Sequence, residues 1–512
     1  MHRRTFLIDL TRYAALAAVV PNDWRVLHHP RFADDPFTLG VASGDPTPNR
    51  IVLWTRLAPK PLEPFGGMEG LRTAVDWEVA DDQKFANVVQ KGRATAAPEV
   101  GYSVHVDVDG LEPNRWYFYR FKSGQAESTI GRTRTAPAAG ATIPLTLAVA
   151  SCQHYEQGYY TAYEHMAREQ LDAVAFLGDY IYESGPNHSN PRLHANAEPL
   201  TLDGYRTRYS QYKTDAALQA MHAAVPWMLM TDDHEVDNNY AGLVSENEVE
   251  SVEQMRERRA AAYQAWWEHQ PVRVPRANSW ADLVQMRRLD WGDLARIHLL
   301  DGRQYRSDQA CGDGDRDVPC GDWADPKRTM LGDAQEKWLS DGLRSSKHRW
   351  QVLGNQVMLA PFDRAVGPKQ NFHMDKWSGY PAATERLLGS IAKYAPNRTV
   401  TVSGDIHSNW VNELHGGFAR EDLPTIAAEF VGTSITSGGD GSGRSFVNDA
   451  QRAENPHLKW QNNRRGYIVC RFDADACQAE YRTVPYVSKP GAPVETPTKW
   501  RVEHGRPGIT PA

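Results

Sequence analysis

The sequence predicts an α/β protein that carries an antiparallel β-sandwich ahead of its larger part, and two observations lead to this fold class. Residues 36–136 contain short segments with period-two alternation, such as VHVDV and WYFYRF, separated by turn sequences, which is typical of half-buried strands. After residue 145, short apolar runs alternate with longer helical stretches, which indicates helices that cover buried strands. A chain of 512 residues is long enough to give both parts a core.

The first residues, MHRRTFLIDLTRYAALAAVVP, resemble an export signal of the twin-arginine (Tat) type. Arg3 and Arg4 precede a weakly apolar stretch of Ala, Leu and Val. Asp9 and Arg12 interrupt that stretch, so a frayed amphipathic helix with a chance arginine pair is the alternative. We expect residues 1–30 to be an export signal and leader, and the protein to be secreted, periplasmic or associated with the cell wall.

The rest of the chain divides by composition. Residues 36–136 predict a β-sandwich of the immunoglobulin or fibronectin type, and no residue there points to catalysis. A linker rich in Pro, Ala and Gly follows at 137–144. The α/β domain is expected over residues 145–490, with function in the loops at its strand ends. Residues 491–512 are expected to be a C-terminal tail.

The overall composition excludes several classes of protein. The sequence is 41% hydrophobic and 24% charged, and it contains no apolar run near the roughly 18 residues that a membrane span needs. Its net charge of −7 supplies no basic surface for neutralising a nucleic-acid backbone. A small phosphorylated substrate, or one bound through a metal, is compatible with this charge. We expect a monomer.

The five cysteines divide into two close pairs and one that is left over. Cys311 and Cys320 bracket the loop CGDGDRDVPC, and Cys470 and Cys477 bracket CRFDADAC. Each pair could close a short loop as a disulfide, and four reduced surface thiols are the alternative. Cys152 remains unpaired, so in an exported protein it is either buried and inert or bound to something.

Several predicted strands end on residues that can bind cations. These residues are Cys152 after LAVAS, Asp179 and Tyr182 in LGDYIYE, Asp233 and His234 in TDDHEVDNN, and Asp405 and His407 in SGDIHSNW. Taken singly, Asp179 could cap a helix, Tyr182 could be a half-buried aromatic and His407 a hydrogen-bonded core imidazole. Together, several uncompensated carboxylates at strand ends are costly to bury unless cations lie among them. The sequence therefore predicts a metal site there.

These motifs carry a resemblance to a known family. SCQ, GDxxY, DDHExxNN and GDxH, in this order, resemble the metallophosphoesterases of the PhoD type, which are exported alkaline phosphatases and phosphodiesterases with phospholipase D-like members. The likeness covers roughly residues 36–485 and includes FTLGVASGDPTPNRIVLWTRLAP, LDGRQYRS and TMLGDAQEKWL. It implies an N-terminal β-sandwich, a catalytic αββα domain of two packed mixed sheets, one ferric ion and calcium.

The resemblance also implies which residues hold the ferric ion. Asp179 is expected to bridge both metals. Cys152, Tyr182 and His407 are expected to complete the Fe³⁺ site, since a thiolate and a phenolate suit this redox-active ion.

The resemblance assigns the remaining residues to calcium and to proton transfer. Asp233 and Asp405 are expected to bind Ca²⁺, which prefers oxygen ligands. Asn355 in LGNQVM is a possible further oxygen ligand, although the family more often has Gln-Gln there. His234 is expected to hydrogen-bond the phosphoryl oxygen or to protonate the leaving group; a structural histidine is the alternative.

The predicted activity is metal-dependent hydrolysis of phosphate esters, as in an alkaline phosphatase or phosphodiesterase, by a hydroxide on the ferric ion. One alternative is a phospholipase D-type phosphodiesterase that acts on lipid head groups. A second, from a different class, is an extracellular binding protein with a vestigial phosphoesterase domain. A zinc or manganese nuclease is a third, and Cys152 and Tyr182 disfavour it.

Overall fold

The computed structural model describes residues 31–247, 249–276 and 278–512. The predicted export signal at 1–30 lies outside the described residues. Among the residues that are described, no helix is both long and apolar enough to cross a bilayer.

The N-terminal region consists of strands that form two antiparallel layers. The strands are β1 Val41–Gly44, β2 Ile51–Arg56, β3 Thr73–Ala80, β4 Val88–Ala96, β5 Ser103–Val108, β6 Trp116–Ser123, β7 Ala126–Glu127 and β8 Gly131–Arg134. β4-β3-β6-β7 make one sheet, with β8 also paired to β6, and β5-β2-β1 make the other. Side chains of both layers, among them Leu53 and Val75, share one core. β6 alternates strictly between half-buried and buried positions, as its sequence WYFYRF predicts.

The second layer of this region continues into the rest of the molecule. β1 pairs in parallel with a later strand through Gly44 and Trp227. The N-terminal strands are therefore not a detached domain, because one of their sheets extends the main sheet.

The larger region alternates strands and helices. Its strands are β9 Leu145–Ala150, β10 Ala173–Phe176, β11 Trp227–Leu229, β12 Arg287–Trp291, β13 Ala295–Leu299, β14 Asp315–Val318, β15 Trp350–Gly354, β16 Gln370–His373, β17 Thr399–Ser403, β18 Asn409–His415, β19 Thr425–Val431, β20 Gly441–Ser442, β21 Leu458–Phe472, β22 Ala476–Val484, β23 Glu495–Glu503 and β24 Thr510–Pro511. Its helices are α1 Thr161–Met166, α2 Leu202–Lys213, α3 Ala216–Ala224, α4 Val252–His269, α5 Gly332–Ser345, α6 Pro381–Tyr394 and α7 Asp449–Glu454. Short 3₁₀ turns occur at Pro64–Gly67, Pro98–Val100, Trp280–Asp282 and Trp377–Gly379.

These strands form two mixed sheets. The first has the order β11-β10-β9-β21-β22-β23-β24, with β9 to β11 parallel. The second has the order β12-β13-β15-β17-β19-β18, with β13, β15, β17 and β19 parallel. The long strand β21 pairs with β18 through its first half and with β9 through its second. β21 therefore joins the two sheets.

Helices cover the outer faces of both sheets, so the larger region is a mixed α/β fold of four layers. The core between the sheets includes Val149, Ile297 and Val402. Side chains of α1 to α4 pack on the first sheet, and side chains of α5 and α6 pack on the second. Both faces of the parallel strands are thus covered, which explains why β10 and β17 are buried at every position.

The C-terminal residues join the first sheet, and one expectation about the cysteines is wrong. Residues 491–512 include β23 and β24, which extend the first sheet, and Val502 is buried between the sheets. The disulfide Cys311–Cys320 is present, but Cys470 and Cys477 are free, buried thiols.

The register of the β21–β22 hairpin places the two free cysteines near each other. Cys470 is opposite Ala479 and Cys477 is opposite Phe472, so the two cysteines are diagonal neighbours rather than a direct pair. Burial, and then a hydrogen bond with Cys470, raise the pKa of Cys477 well above its usual value. The thiols are therefore in contact but not bonded to each other.

Candidate metal centre and active site

The predicted site residues follow four parallel strands at their carboxyl ends. Cys152 follows β9, Asp179 follows β10 and Asp233 follows β11, which are neighbours in the first sheet. Asp405 follows β17 of the second sheet. Loops at this edge of an α/β sheet are where ligands usually bind.

The backbone at these strand ends adopts an unfavourable conformation. Cys152, Asp179, Asp405 and His407 have φ values of 60°, 58°, 65° and 54°, in the left-handed region that residues with a Cβ seldom occupy. Backbone hydrogen bonds hold the first two turns together, since the Cys152 N–H donates to the Gly178 carbonyl at 3.1 Å. Such strain is concentrated at functional sites.

The predicted iron ligands come together. One ligand atom each from Cys152, Asp179 and His407 lies within 4.8 Å of the others. The Tyr182 hydroxyl donates to Asp179 Oδ2 at 2.8 Å and lies 3.1 Å from His407 Nε2. A thiol, a carboxylate, a phenol and an imidazole therefore surround one small volume.

Two further groups continue from this one. Ligand atoms of Asp179, Asp233 and His234 lie within 4.8 Å of one another, and so do those of Asp232, Asp233 and Asp405. Because Asp179 and Asp233 each belong to two groups, the residues form one continuous arrangement. We call it the strand-end cluster, which consists of Cys152, Asp179, Tyr182, Asp232, Asp233, His234, Asp405 and His407.

The strand-end cluster fits metal ions by an independent criterion. Asp179 Oδ1 and Asp233 Oδ1 are buried and receive no hydrogen bond from any described residue. An unsatisfied buried acceptor costs about 1–3 kcal/mol. Burial raises the pKa of Asp179 well above its usual range; His234 opposes this shift and Asp233 adds to it. A bound cation would satisfy both oxygens, and the donor atoms present are those that metals bind.

The Cys152 thiol and the His407 imidazole differ in whether their pKa favours the form that binds a metal. Burial, and then the Arg465 guanidinium, lower the pKa of His407 to about 3, so its imidazole is in the neutral form that binds metals. Burial, and then the Asp179 carboxylate, raise the pKa of Cys152 well above its usual value. Cys152 therefore needs a nearby cation to become a thiolate.

Two basic side chains, which sequence reasoning missed, reach the cluster. Arg303 Nε donates to Asp232 Oδ1 at 2.5 Å, and its Nη2 donates to Asp405 Oδ1 at 3.1 Å. Lys376 Nζ donates to Asp405 Oδ2. Arg303 occurs in LDGRQYRS, a segment that resembles the family but to which no residue role was assigned. Lys376 occurs in a loop with no motif. Asp232 was missed as well. Its only local signal is that it directly precedes Asp233 in TDDHE.

His234 is held by Glu183, another residue that sequence reasoning missed. His234 Nδ1 lies 2.7 Å from Glu183 Oε2, and Glu183 Oε1 accepts from the Asn238 N–H at 2.9 Å. The His234 ring packs on Tyr182 with centroids 4.0 Å apart. Against the effect of burial, Glu183 and then Asp179 raise the pKa of His234 well above its usual value. The imidazole is thus oriented, and the neighbouring carboxylates favour its protonated form.

Another group with metal-like composition is satisfied by hydrogen bonds instead. His154, Glu156 and His194 also bring ligand atoms within 4.8 Å. However, Glu156 accepts from the backbone N–H groups of Asn187 and His194, and His194 Nε2 is 3.0 Å from the Tyr212 hydroxyl. These bonds fasten a loop beside the site, so this group is structural.

The carboxamide of Asn355 makes hydrogen bonds inside the protein. Its Oδ1 accepts from Trp377 Nε1 at 3.1 Å, and its amide nitrogen donates to the Val357 carbonyl. Its role as a further oxygen ligand, like the calcium roles of Asp233 and Asp405, stays a prediction.

Comparisons with known proteins agree with this geometry. The profile of the PhoD-like phosphatase family matches residues 147–481, and that of the PhoD-like phosphatase N-terminal domain matches residues 23–137. The chain is similar to the alkaline phosphatase D of Bacillus subtilis (strain 168), with 46% identity over 486 residues, which is 94% of this chain and 83% of that protein.

Solved structures give the same result. A structure described as that of PhoD has a TM-score of 0.92 and 46% identity, and the match covers 94% of this chain and 93% of that one. The purple acid phosphatase PPD1 from yellow lupin seeds has a TM-score of 0.57 and 14% identity over 92% of this chain and 74% of that one. The second likeness concerns the fold alone.

Proposed function

The chain belongs to the PhoD-like phosphatase family, and from this premise we propose that it hydrolyses phosphate esters at the strand-end cluster. The observation that carries the proposal is the convergence of three overlapping groups of ligand atoms on Asp179 and Asp233, each of which has one buried carboxylate oxygen without a hydrogen bond from the described residues. The similar Bacillus protein is named an alkaline phosphatase, which supports an ester hydrolase over a non-catalytic binding protein.

The proposal includes the identity of the metals. Cys152, Tyr182 and His407 would hold Fe³⁺, Asp233 and Asp405 would hold Ca²⁺, and Asp179 would be shared. Mixed sulfur, phenolate and nitrogen donors on one side and carboxylates on the other support this division. When bound, these cations would supply positive charge for the phosphoryl oxygens and acidify a water molecule.

The protein's own residues supply orientation and a proton. With Nδ1 engaged by Glu183, His234 has Nε2 available to donate to a phosphoryl oxygen or to the leaving group. Arg303 keeps Asp232 and Asp405 in place through its hydrogen bonds. Burial of these groups excludes bulk water, which strengthens each of the interactions.

The proposal also covers the route of export and the type of the N-terminal β-sandwich. Export by the Tat route is supported by Arg3 and Arg4 and by the disulfide Cys311–Cys320, which suits an oxidising compartment. An immunoglobulin- or fibronectin-like sandwich is supported by the two antiparallel layers of the N-terminal strands and their shared core.

Hydrolysis of aryl phosphates at alkaline pH tests the proposal. A calcium chelator should abolish activity, and Ca²⁺ but not Zn²⁺ should restore it. Comparing kcat/KM for bis-aryl and mono-aryl phosphates then establishes the ester class, and we expect diesters to be cleaved at least as well. Full activity in protein stripped of metal would refute the proposed site.

A further inference from the structure

Lys376 occupies a position in which it competes with a cation for Asp405. Its ammonium group donates to Asp405 Oδ2, and Arg303 Nη2 donates to Asp405 Oδ1 at 3.1 Å. Each oxygen of Asp405 therefore carries a basic side chain of the protein. Since Asp405 lies beside Asp233 in the strand-end cluster, a cation bound there shares these oxygens with two positive charges, and the repulsion between like charges favours the departure of one basic group.

Arg303 is the group that stays. It also donates to Asp232 at 2.5 Å and to Asp375 at 2.8 Å, and its side chain is 1% exposed. A planar guanidinium held by several carboxylates has no alternative position.

Lys376 is the group that can move. Its side chain is 14% exposed, its other contact is Asp375 Oδ2 at 3.3 Å, and its ammonium group lies on a flexible four-carbon stem. The backbone beside it is anchored, because Trp377 is buried and donates to Asn355. Movement is therefore confined to the side chain, which stays beside the cluster.

We propose that Lys376 is a phosphate-binding residue, and that its ammonium group becomes available to the substrate when a divalent cation takes its place on Asp405. This inference rests on the proposed function. It assigns Lys376 two linked effects: it competes with the cation for Asp405, and it binds the phosphoryl group once displaced. Cation loading and phosphate affinity are then positively coupled.

The same residue would influence which esters are preferred. A phosphomonoester carries one more negative charge than a diester near and above neutral pH. A free ammonium group therefore stabilises a bound monoester more than a bound diester. Removing the charge should shift the ratio of kcat/KM values towards diesters.

Lys376→Met separates the two effects of Lys376, because loss of the ammonium group should weaken phosphate binding but strengthen calcium binding. Calorimetry on the full chain should show inorganic phosphate binding weakened about tenfold or more in the presence of Ca²⁺, as for loss of a charge-assisted hydrogen bond. Calcium binding, measured by titration after dialysis against a chelator, should become tighter, and an unchanged calcium affinity would contradict the competition for Asp405. Lys376→Arg should recover most of the phosphate affinity. Lys369→Met, at a 79% exposed lysine that directly precedes β16, should leave both affinities unchanged.

A purely structural role would lower both affinities together, and that result would overturn the proposal. Unchanged phosphate binding in Lys376→Met would overturn it as well. If that variant does not fold, Lys376→Gln provides the same comparison with a polar side chain. Failure of the proposed function is recognisable separately, because wild-type protein would then cleave neither ester although calorimetry still reports phosphate and calcium binding.

Discussion

Two of the molecule's clusters of ionisable side chains differ in whether they have the features of a site. The strand-end cluster is rich in carboxylates. The second, which we call the basic cluster, consists of Lys213, His222 and His269, located where α2, α3 and α4 meet the first sheet. Every member of the basic cluster is 2% exposed or less, so it is at least as far removed from solvent as the strand-end cluster, in which the His234 side chain is 19% exposed.

Burial favours the neutral forms of the basic cluster, and neighbouring side chains pack around it. Burial lowers the pKa of Lys213 well below its usual value, and its side-chain nitrogen lies 4.2 Å from the centre of the Trp54 ring. His222 Nε2 is 2.8 Å from the Tyr180 hydroxyl, and His269 Nδ1 is 2.7 Å from the Ala265 carbonyl. Deprotonated bases of this kind pack like other polar core residues.

The difference shows that burial of like-charged groups does not by itself identify a site. In the strand-end cluster, carboxylate oxygens of Asp179 and Asp233 lack hydrogen bonds from described residues, and the backbone at Cys152 and Asp405 is left-handed. In the basic cluster, His222 Nδ1 also lacks a hydrogen bond within the described part of the chain, but it stands alone, and aromatic rings and a backbone carbonyl lie against the other polar groups. Buried polar atoms without hydrogen bonds indicate a ligand when several of them converge at strained strand ends.

The largest effect is expected for Asp179→Asn, which removes the carboxylate that two groups of the strand-end cluster share. We expect kcat to fall by about a thousandfold or more, since charge stabilisation and metal retention are lost together. In the presence of chelator the variant should be at least as stable as wild type, because one of several repelling carboxylates is gone. Kinetics, metal analysis and thermal unfolding check this. A variant that keeps its metals and its activity would place the site elsewhere.

A smaller loss of activity is expected for His234→Ala. General acid catalysis contributes about 10²–10⁴-fold, so kcat should fall within that range while both metals remain. The loss should be greater for esters with poor leaving groups, which need a proton more. Glu183→Gln should show the same dependence on the leaving group to a lesser degree. If His234→Ala instead loses metal in proportion to activity, His234 is a ligand.

The smallest effect, and an opposite one, is expected in the basic cluster. Lys213→Met should leave kcat unchanged and stabilise the fold by about 1–3 kcal/mol at pH 7, because a buried polar group is replaced by an apolar one of similar size. Because the pKa of Lys213 is lowered in the folded state, the unfolded chain binds an extra proton below pH 10.5. The gain should therefore shrink as pH rises towards 10.5. Urea unfolding at several pH values measures it, and a loss of stability at pH 7 would show that Lys213 is charged and partnered.

The sequence predicted the strand-end cluster better than its surroundings. Cys152, Asp179, Asp233 and Asp405 each follow an apolar run, so their common edge could be inferred from the order of strands. Arg303 and Lys376 come from loops whose path depends on tertiary packing, and no local pattern marks them. Asn355 follows a strand as well, yet its amide oxygen is taken by Trp377. A position after a strand therefore does not reveal which way a side chain points.

The fold shows the same limit. Period-two alternation and apolar runs predicted the strands and the helical layers, because they depend on local burial. The pairing of β1 with β11 and the addition of β23 and β24 to the first sheet depend on contacts between distant residues. The diagonal register of Cys470 and Cys477 is also invisible in the sequence, because it is set by how the hairpin turns.

The metal content of the purified protein, compared between wild type and Cys152→Ala, tests the central claim most directly. We expect iron and calcium in the wild type, with visible absorption from the thiolate and phenolate donors, and loss of iron, colour and activity together in Cys152→Ala. Cys470→Ala, which removes another buried free thiol, should keep the metals and the colour. A colourless wild-type protein without iron, or a Cys152→Ala variant that retains iron and activity, would contradict the assignment of the strand-end cluster as the metal centre.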